Sequence, residues 1–260
     1  MTVKAKIKSI YIYPIKSLDG VKLDNIAFNR SGGLKNDRLF ALKDFNGEYI
    51  NAKNYPEIIK LRSGFNLDKG LLNLKHGNTE LSFKLFDEID LIEEWFSAYF
   101  KKKVKLHRNY EMGYPDDRKR PGPTIYSYQS LELVKSWFPE LSIKELRRRF
   151  RGNIELDADL EGFWEDGLLL SDMKHGLFQL GSIEFQAVKP CPRCPVPTRN
   201  SMDGKIYKGF QKTYTEKRKN NVAASVDKKL FPHYYMFAIN TLVSNPESGM
   251  IKCGDVLTRH

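Results

Sequence analysis

The sequence predicts a β-rich α+β fold, and three observations carry that expectation. Residues 1–85 consist of short alternating segments broken by turn residues; a helical period takes over at Asp90; strand-like apolar runs return after residue 153. Lys6–Ile15 alternates apolar and basic residues, Val21–Phe28 alternates again, and Arg38–Leu42 follows the Gly32-Gly33 turn. Ile58–Arg62, Leu71–Leu74 and Glu80–Leu85 read as further strands between Gly- or Asn-containing turns, so this part is expected to be a small all-β barrel.

Leu91, Ile92, Trp95, Phe96 and Tyr99 recur at helical spacing and leave acidic and small residues on the other face. Asn109–Thr124, rich in Pro, Gly and charge, reads as a long surface loop. Helices are expected over Leu131–Phe138 and from Ser142 to Arg149, where Ser142 and Glu145 have capping-box spacing. Strands follow at Ile154–Leu156, Leu177–Leu180, Ile183–Val188 and Phe237–Val243, with one helical stretch at Phe210–Arg218.

An apolar fraction of 41% and a charged fraction of 29% over 260 residues suit a chain that folds throughout, as two closely packed subdomains. No run approaches the roughly 18 apolar residues of a membrane helix, and Met1–Lys8 lacks a signal peptide's apolar core, so a cytoplasmic protein is expected. The 43 Lys and Arg against 32 Asp and Glu favour an anionic partner: nucleic acid, a phospholipid surface or a phosphorylated small molecule. Zinc-finger spacing, an RRM-like aromatic signature and a basic region running into heptads are all missing, so no nucleic-acid module is expected. The clusters Lys101–Lys103 and Arg147–Arg149 read as solvated faces.

The densest chemical signal is Pro190-Cys191-Pro192-Arg193-Cys194-Pro195-Val196-Pro197-Thr198. Its prolines each hold φ near −65°, which stiffens a loop at a strand end, and Arg193 favours the thiolate of its neighbour Cys194. Structural zinc needs four ligands, and Cys253 is the one remaining thiol, with no histidine nearby in sequence. A redox dithiol at a helix start conflicts with Pro195 and Pro197. Two buried cysteines without a role remain the third alternative. Nucleotide-binding and hydrolase motifs are absent.

Further motifs place the cysteines in context. Tyr13-Pro14-Ile15-Lys16-Ser17, Asp37-Arg38, Phe150-Arg151-Gly152-Asn153-Ile154, Glu165-Asp166, Pro190–Cys194 with Pro197-Thr198, Phe237-Ala238-Ile239-Asn240 and Ile251-Lys252-Cys253-Gly254-Asp255 occur in this order. In this the chain resembles the MOSC proteins, named for the C-terminal domain of molybdenum cofactor sulfurase. It is most similar to the two-part group that includes the mitochondrial amidoxime-reducing components and their bacterial relatives. The resemblance covers nearly the whole chain. It implies an N-terminal β-barrel domain in residues 1–120, the barrel itself about 1–85 with a connecting helix and loop, packed on a MOSC β-barrel domain with peripheral helices in residues 121–260.

The resemblance also implies a molybdenum-molybdopterin cofactor with Cys194 as metal ligand and catalytic residue. Lys16, Arg38 and Arg151 would meet its anionic groups, Ser17, Asn153 and Asn240 would hydrogen-bond to it, and Arg193 would steady the thiolate or the pterin. The implied activity is two-electron reduction of N-oxygenated compounds, such as N-hydroxylated amidines or hydroxylamines. With no cysteines left for an iron-sulfur domain, electrons would come from a separate ferredoxin, flavin reductase or cytochrome-type donor. The alternative is a non-catalytic carrier of the cofactor, or of sulfur as a Cys194 persulfide. The chain departs from the pattern at Arg120-Pro121-Gly122, where relatives have a Thr-Ser-Pro-like stretch, at Asn200 for an Asp, and at Ala238 for a Gly. Arg120 or Ser127 is the candidate to replace the missing hydroxyls.

Overall fold

The computed structural model describes residues 4–169, 176–223 and 226–259, so Met1–Val3 of the N-terminal segment read above lie outside it. The first half supplies β1 (Ala5–Ile12), β2 (Val21–Leu23), β3 (Asn25–Ala27), β4 (Phe40–Asp44), β5 (Arg62–Asn66), β6 (Leu71–His76), β7 (Thr79–Lys84), helix α1 (Ile89–Phe100) and β8 (Val104–Arg108). The second half supplies β9 (Ile125–Ser127), α2 (Tyr128–Trp137), α3 (Ile143–Phe150), β10 (Ile154–Ala158), β11 (Gly176–Leu180), β12 (Ile183–Pro192), α4 (Phe210–Lys219), β13 (Met236–Val243), β14 (Met250–Lys252) and β15 (Leu257–Arg259). The fold is β-rich α+β, as the alternation predicts.

An eight-stranded sheet runs β15-β11-β12-β13-β9-β10-β1-β2, so the first strand of the chain sits inside the sheet of the second half. Strand β1 pairs antiparallel with β10, Ala5 opposite Ala158 and Ile10 opposite Ile154, and its inward residues join one core with Phe178, Phe185 and Ile239. Strands β4 to β8 enclose a second core, in which Ile92 and Phe96 of α1 pack on Leu42, Leu72 and Leu106. A third, aromatic core gathers Phe138, Phe150, Phe210 and Phe237 beneath α2, α3 and α4. Ser142 caps α3 by accepting a hydrogen bond from the Glu145 N–H at 3.1 Å, as its spacing predicts. Among the described residues no helix is long and apolar enough to cross a membrane.

Three expectations are corrected. Val21–Phe28 is two strands, because β2 pairs with β1 while β3 turns away to β14. Ile58–Arg62 is a single 3₁₀ turn, Pro56–Lys60, burying Ile58 and Ile59, and the strand begins only at Arg62. Arg147–Arg149 is no solvated face. Arg147 grips the fully buried Glu155 through two hydrogen bonds of 2.6 and 2.9 Å, and Arg149 is buried against Glu145 at 2.7 Å.

Candidate functional site

The cysteine segment is held from both sides. Strand β12 runs through Pro190 and Cys191 beside β13, and its register slips between Pro190, opposite Ile239, and Pro192, opposite Met236. Phe237 and Ala238 thus face the single residue Cys191, a bulge in which Ala238 takes the left-handed φ of 71° that glycine favours. Beyond the strand the Arg193 N–H donates to the Tyr235 carbonyl at 3.0 Å, and Arg149 donates to the Pro197 carbonyl at 3.3 Å. Only a 3₁₀ turn, Val196–Thr198, follows, so the pair does not start a helix as a redox dithiol would. Cys194 is exposed rather than buried, which removes the reading of two inert core thiols.

All eight residues singled out from the sequence, from Lys16 to Asn240, line one cavity of about 470 Å³. That volume suits a small-molecule ligand. Tyr13 explains part of the convergence: its buried ring carries the Arg151 guanidinium 4.0 Å from the centroid and that of Arg38 at 5.2 Å. Burial raises the Tyr13 hydroxyl pKa to about 12. Ser17, Arg38 and Arg151 all have left-handed backbones, with φ of 74°, 49° and 52°. Such conformations cost about 1–2 kcal/mol each and persist where the surroundings enforce them, commonly at functional sites.

Several of these residues are already engaged. Lys16 forms an ion pair with Asp116 and donates to the Tyr114 carbonyl at 3.1 Å. The Asp116 side chain is largely exposed, and Lys16 and Arg38 hold its carboxyl well below the usual range. Arg38 is bound to Asp37. Asn153 is a brace: its Oδ1 accepts from the Thr124 N–H and hydroxyl, and its Nδ2 donates to Tyr11 O at 3.0 Å and Asp37 at 3.2 Å. Ser17 Oγ accepts from the Ala52 N–H at 3.3 Å. Arg193 reaches Cys191 Sγ at 3.3 Å, the neighbour of the thiol expected, and burial of its charge is outweighed by the two cysteine sulfurs and Asp116.

Other residues were not singled out. Asp116 and Asp117 come from the 109–124 loop, where no local pattern marks one carboxylate above another; Asp117 holds both Lys189, at 2.9 Å, and Arg120, at 3.2 Å. Tyr235 has a buried hydroxyl without a partner, and its pKa is raised by burial and by the Cys194 sulfur, against the pull of Arg193. Ser127 does not replace the missing hydroxyls, because it is fully buried as the cap of α2; Arg120 and Thr124 do line the cavity. Gly122 is required where it stands, since a Cβ there would lie 2.3 Å from the Thr241 carbonyl.

Comparison with known proteins bears on this arrangement. Residues 4–103 match the MOSC N-terminal beta barrel domain, and residues 123–258 match the MOSC domain, more than half of the chain. The chain belongs to the MOSC-domain family. Its MOSC domain carries Cys194, Arg151, Asn153, Arg193 and Asn240, and its N-terminal barrel domain carries Lys16, Ser17 and Arg38, so the cavity is built by both. The chain is 22% identical over 285 residues to a protein named molybdenum cofactor sulfurase from Drosophila melanogaster, covering 98% of this chain and 34% of that one. It is likewise 22% identical over 294 residues to molybdenum cofactor sulfurase 2 from Culex quinquefasciatus, covering 97% and 36%. The chain spans about a third of the length of these relatives. Among solved structures, the YuaD protein from Bacillus subtilis aligns over 99% of this chain and 96% of its own at 12% identity, with a TM-score of 0.41.

The donor set fits a ligand that brings its own metal donors. Among the described residues no three His, Cys, Asp or Glu side chains converge as a metal site, and Cys194 offers one exposed soft sulfur. Around it, Arg151 Nη2 and Arg193 Nε are buried with no partner, donors that an anionic or heterocyclic ligand would satisfy. A dithiolene-bearing pterin phosphate matches that combination.

Proposed function

We propose that this chain binds a molybdenum-pterin cofactor in the cavity and reduces N-oxygenated compounds, with Cys194 as the metal ligand. The observation that carries the proposal is the exposed sulfur of Cys194 on the wall of a cationic cavity lined by all eight expected residues. Arg38 and Arg151, stacked on Tyr13, would meet the anionic groups of the pterin, with Asn240 on the wall beside them. Lys16 would act with Asp116 attached, so its charge is tempered. Asn153 would hold the wall rather than the ligand. When bound, the cofactor supplies the two-electron redox chemistry, and the net reaction consumes two electrons and two protons to turn an N-hydroxylated base into the free base and water.

The electrons would come from a separate protein of ferredoxin, flavin reductase or cytochrome type. A net charge of +11 favours an acidic donor surface and a salt-dependent encounter. The test is metal analysis together with reductive turnover of an N-hydroxylated amidine by the wild type and by Cys194→Ser. Turnover and molybdenum present in the first and lost in the second support the proposal; wild-type protein holding cofactor but inert toward every N-oxygenated substrate refutes the reductase.

A second reading, a carrier of the cofactor or of sulfur on a Cys194 persulfide, draws on the two thiols Cys191 and Cys194 flanking Arg193. The names of the insect relatives point the same way. It predicts sulfide release by a thiol reductant without substrate turnover.

A further inference from the structure

The cavity holds more positive charge than the roles above use. Eleven Lys and Arg side chains line it against four Asp. Toward the cysteines Lys16, Arg38, Arg120 and Lys189 are matched to Asp116, Asp37 and Asp117, and Arg151 and Arg193 face the cofactor proposed above. Arg62 and Arg148 stand apart. Arg62, the first residue of β5, reaches in from the N-terminal barrel; Arg148 reaches in from α3.

Both guanidinium groups point at one atom. Nη1 of Arg62 lies 3.4 Å from the sulfur of Met202, and Nη1 of Arg148 lies 2.9 Å from it. A thioether is a weak acceptor, and two like charges directed at one neutral sulfur is an arrangement that an anion would improve. Arg62 is only partly satisfied: its Nη1 also meets Asp19 at 3.3 Å and its Nη2 donates to the Ile59 carbonyl, but its Nε is buried with no partner. Burial lowers its pKa, and the Arg148 charge adds to the lowering against the opposing pull of Asp19.

Met202 is suited to give way. It sits in the turn closed by the Arg199 and Ile206 bridge, and its side chain is about half exposed, at 51%. Unbranched and flexible, it can swing off the two guanidinium groups. The turn itself stays in place, because Glu145 of α3 holds the N–H and hydroxyl of Ser201.

We propose that Arg62 and Arg148 form an anion subsite, covered by Met202, that takes a carboxylate or phosphate carried by the substrate. The inference rests on the functional reading above and narrows its substrate class to N-oxygenated compounds with an anionic tail.

The test is titration calorimetry and turnover of the cofactor-loaded protein with N-hydroxybenzamidine and a series of its derivatives carrying a carboxylate on tails of increasing length. At least one derivative is expected to bind wild type about tenfold more tightly than the neutral parent, a margin that shrinks with salt. Arg148→Gln and Arg62→Gln are each expected to bring that ratio to within about twofold, and Met202→Ala to raise it. Arg148→Gln decides the matter if Arg62→Gln fails to fold, since Arg148 is part-exposed on a helix. No carboxylate preference in wild type, or a preference that survives Arg148→Gln, overturns the subsite. Carboxylate-selective binding without reduction would instead fault the reductase reading and leave the subsite standing. A nucleotide-extended pterin released by wild type and missing from Arg148→Gln would assign the pair to a second cofactor phosphate and overturn the substrate assignment.

Discussion

Replacing Ala238 by glycine should cost this protein almost nothing, whereas the same change at Ala187 should cost about 1.5 kcal/mol, from a lost buried methyl and added unfolded-state freedom. Both alanines are buried in adjacent strands, at 6% and 3% exposure. Each loses a buried CH₃, worth about 0.8 kcal/mol, and each glycine gains about 0.5–1 kcal/mol of unfolded-state entropy. Ala238 alone sits at a φ of 71°. Releasing a left-handed alanine returns about 1–2 kcal/mol, which offsets both losses. The assay is urea unfolding of the two variants beside wild type, with thermal midpoints as a check. Ala187→Gly should lower the midpoint by about 3–6 °C and Ala238→Gly by under about 1 °C, given about 2–4 °C per kcal/mol in a chain of this size. Equal destabilisation of the two would refute the claim that the bulge opposite Cys191 is held in a glycine-like conformation.

Further outcomes follow from the charged groups. Arg218, nearly fully buried, pairs with Asp166 at 2.5 Å, so Arg218→Met should destabilise by about 3–5 kcal/mol by leaving a buried carboxylate alone, and adding Asp166→Leu should restore much of that in denaturant unfolding. Burial acts to raise the Glu145 pKa, but Ser201 and Arg149 outweigh it and lower the pKa below its ordinary value. Glu145 therefore stabilises the fold above the unfolded carboxyl range and loses that contribution as pH falls through its lowered value; Glu145→Gln should flatten the loss of stability below about pH 4.5, read by urea unfolding across pH. Asp116→Asn should release Lys16 and tighten the binding of inorganic phosphate to cofactor-free protein several-fold, less so at high salt, as calorimetry would show.

How much of this could be read in the sequence depends on the range of each interaction. Helices α1 and α3 were legible because their signals are local: the spacing of Ile92 and Phe96, and a Ser142 cap that reaches three residues. Strands β8 and β9 were missed because they are short and owe their existence to partners far along the chain, as β8 does to β4 and β9 does to β10 and β13. The Arg147–Arg149 run looked like solvent-facing charge because nothing adjacent shows that Glu155 is fully buried beside it. The eight site residues were identified through short motifs, and the structure draws them together from both domains. Their restraint was hidden: the Asp116 that engages Lys16 lies 100 residues away in a loop without pattern, and the amide of Asn153 is consumed by Tyr11, Asp37 and Thr124. Ionic and hydrogen-bond pairing across such separations is a property of the fold, which composition and periodicity do not encode.

The most direct measurement is the molybdenum and pterin content of the protein purified from cells that make the cofactor, compared across wild type, Cys191→Ser and Cys194→Ser. The account predicts metal and pterin in equal amounts in wild type, retention in Cys191→Ser, and loss of the metal in Cys194→Ser at unchanged folding stability. Wild-type protein free of both, or a Cys194→Ser variant that keeps its molybdenum, would contradict it.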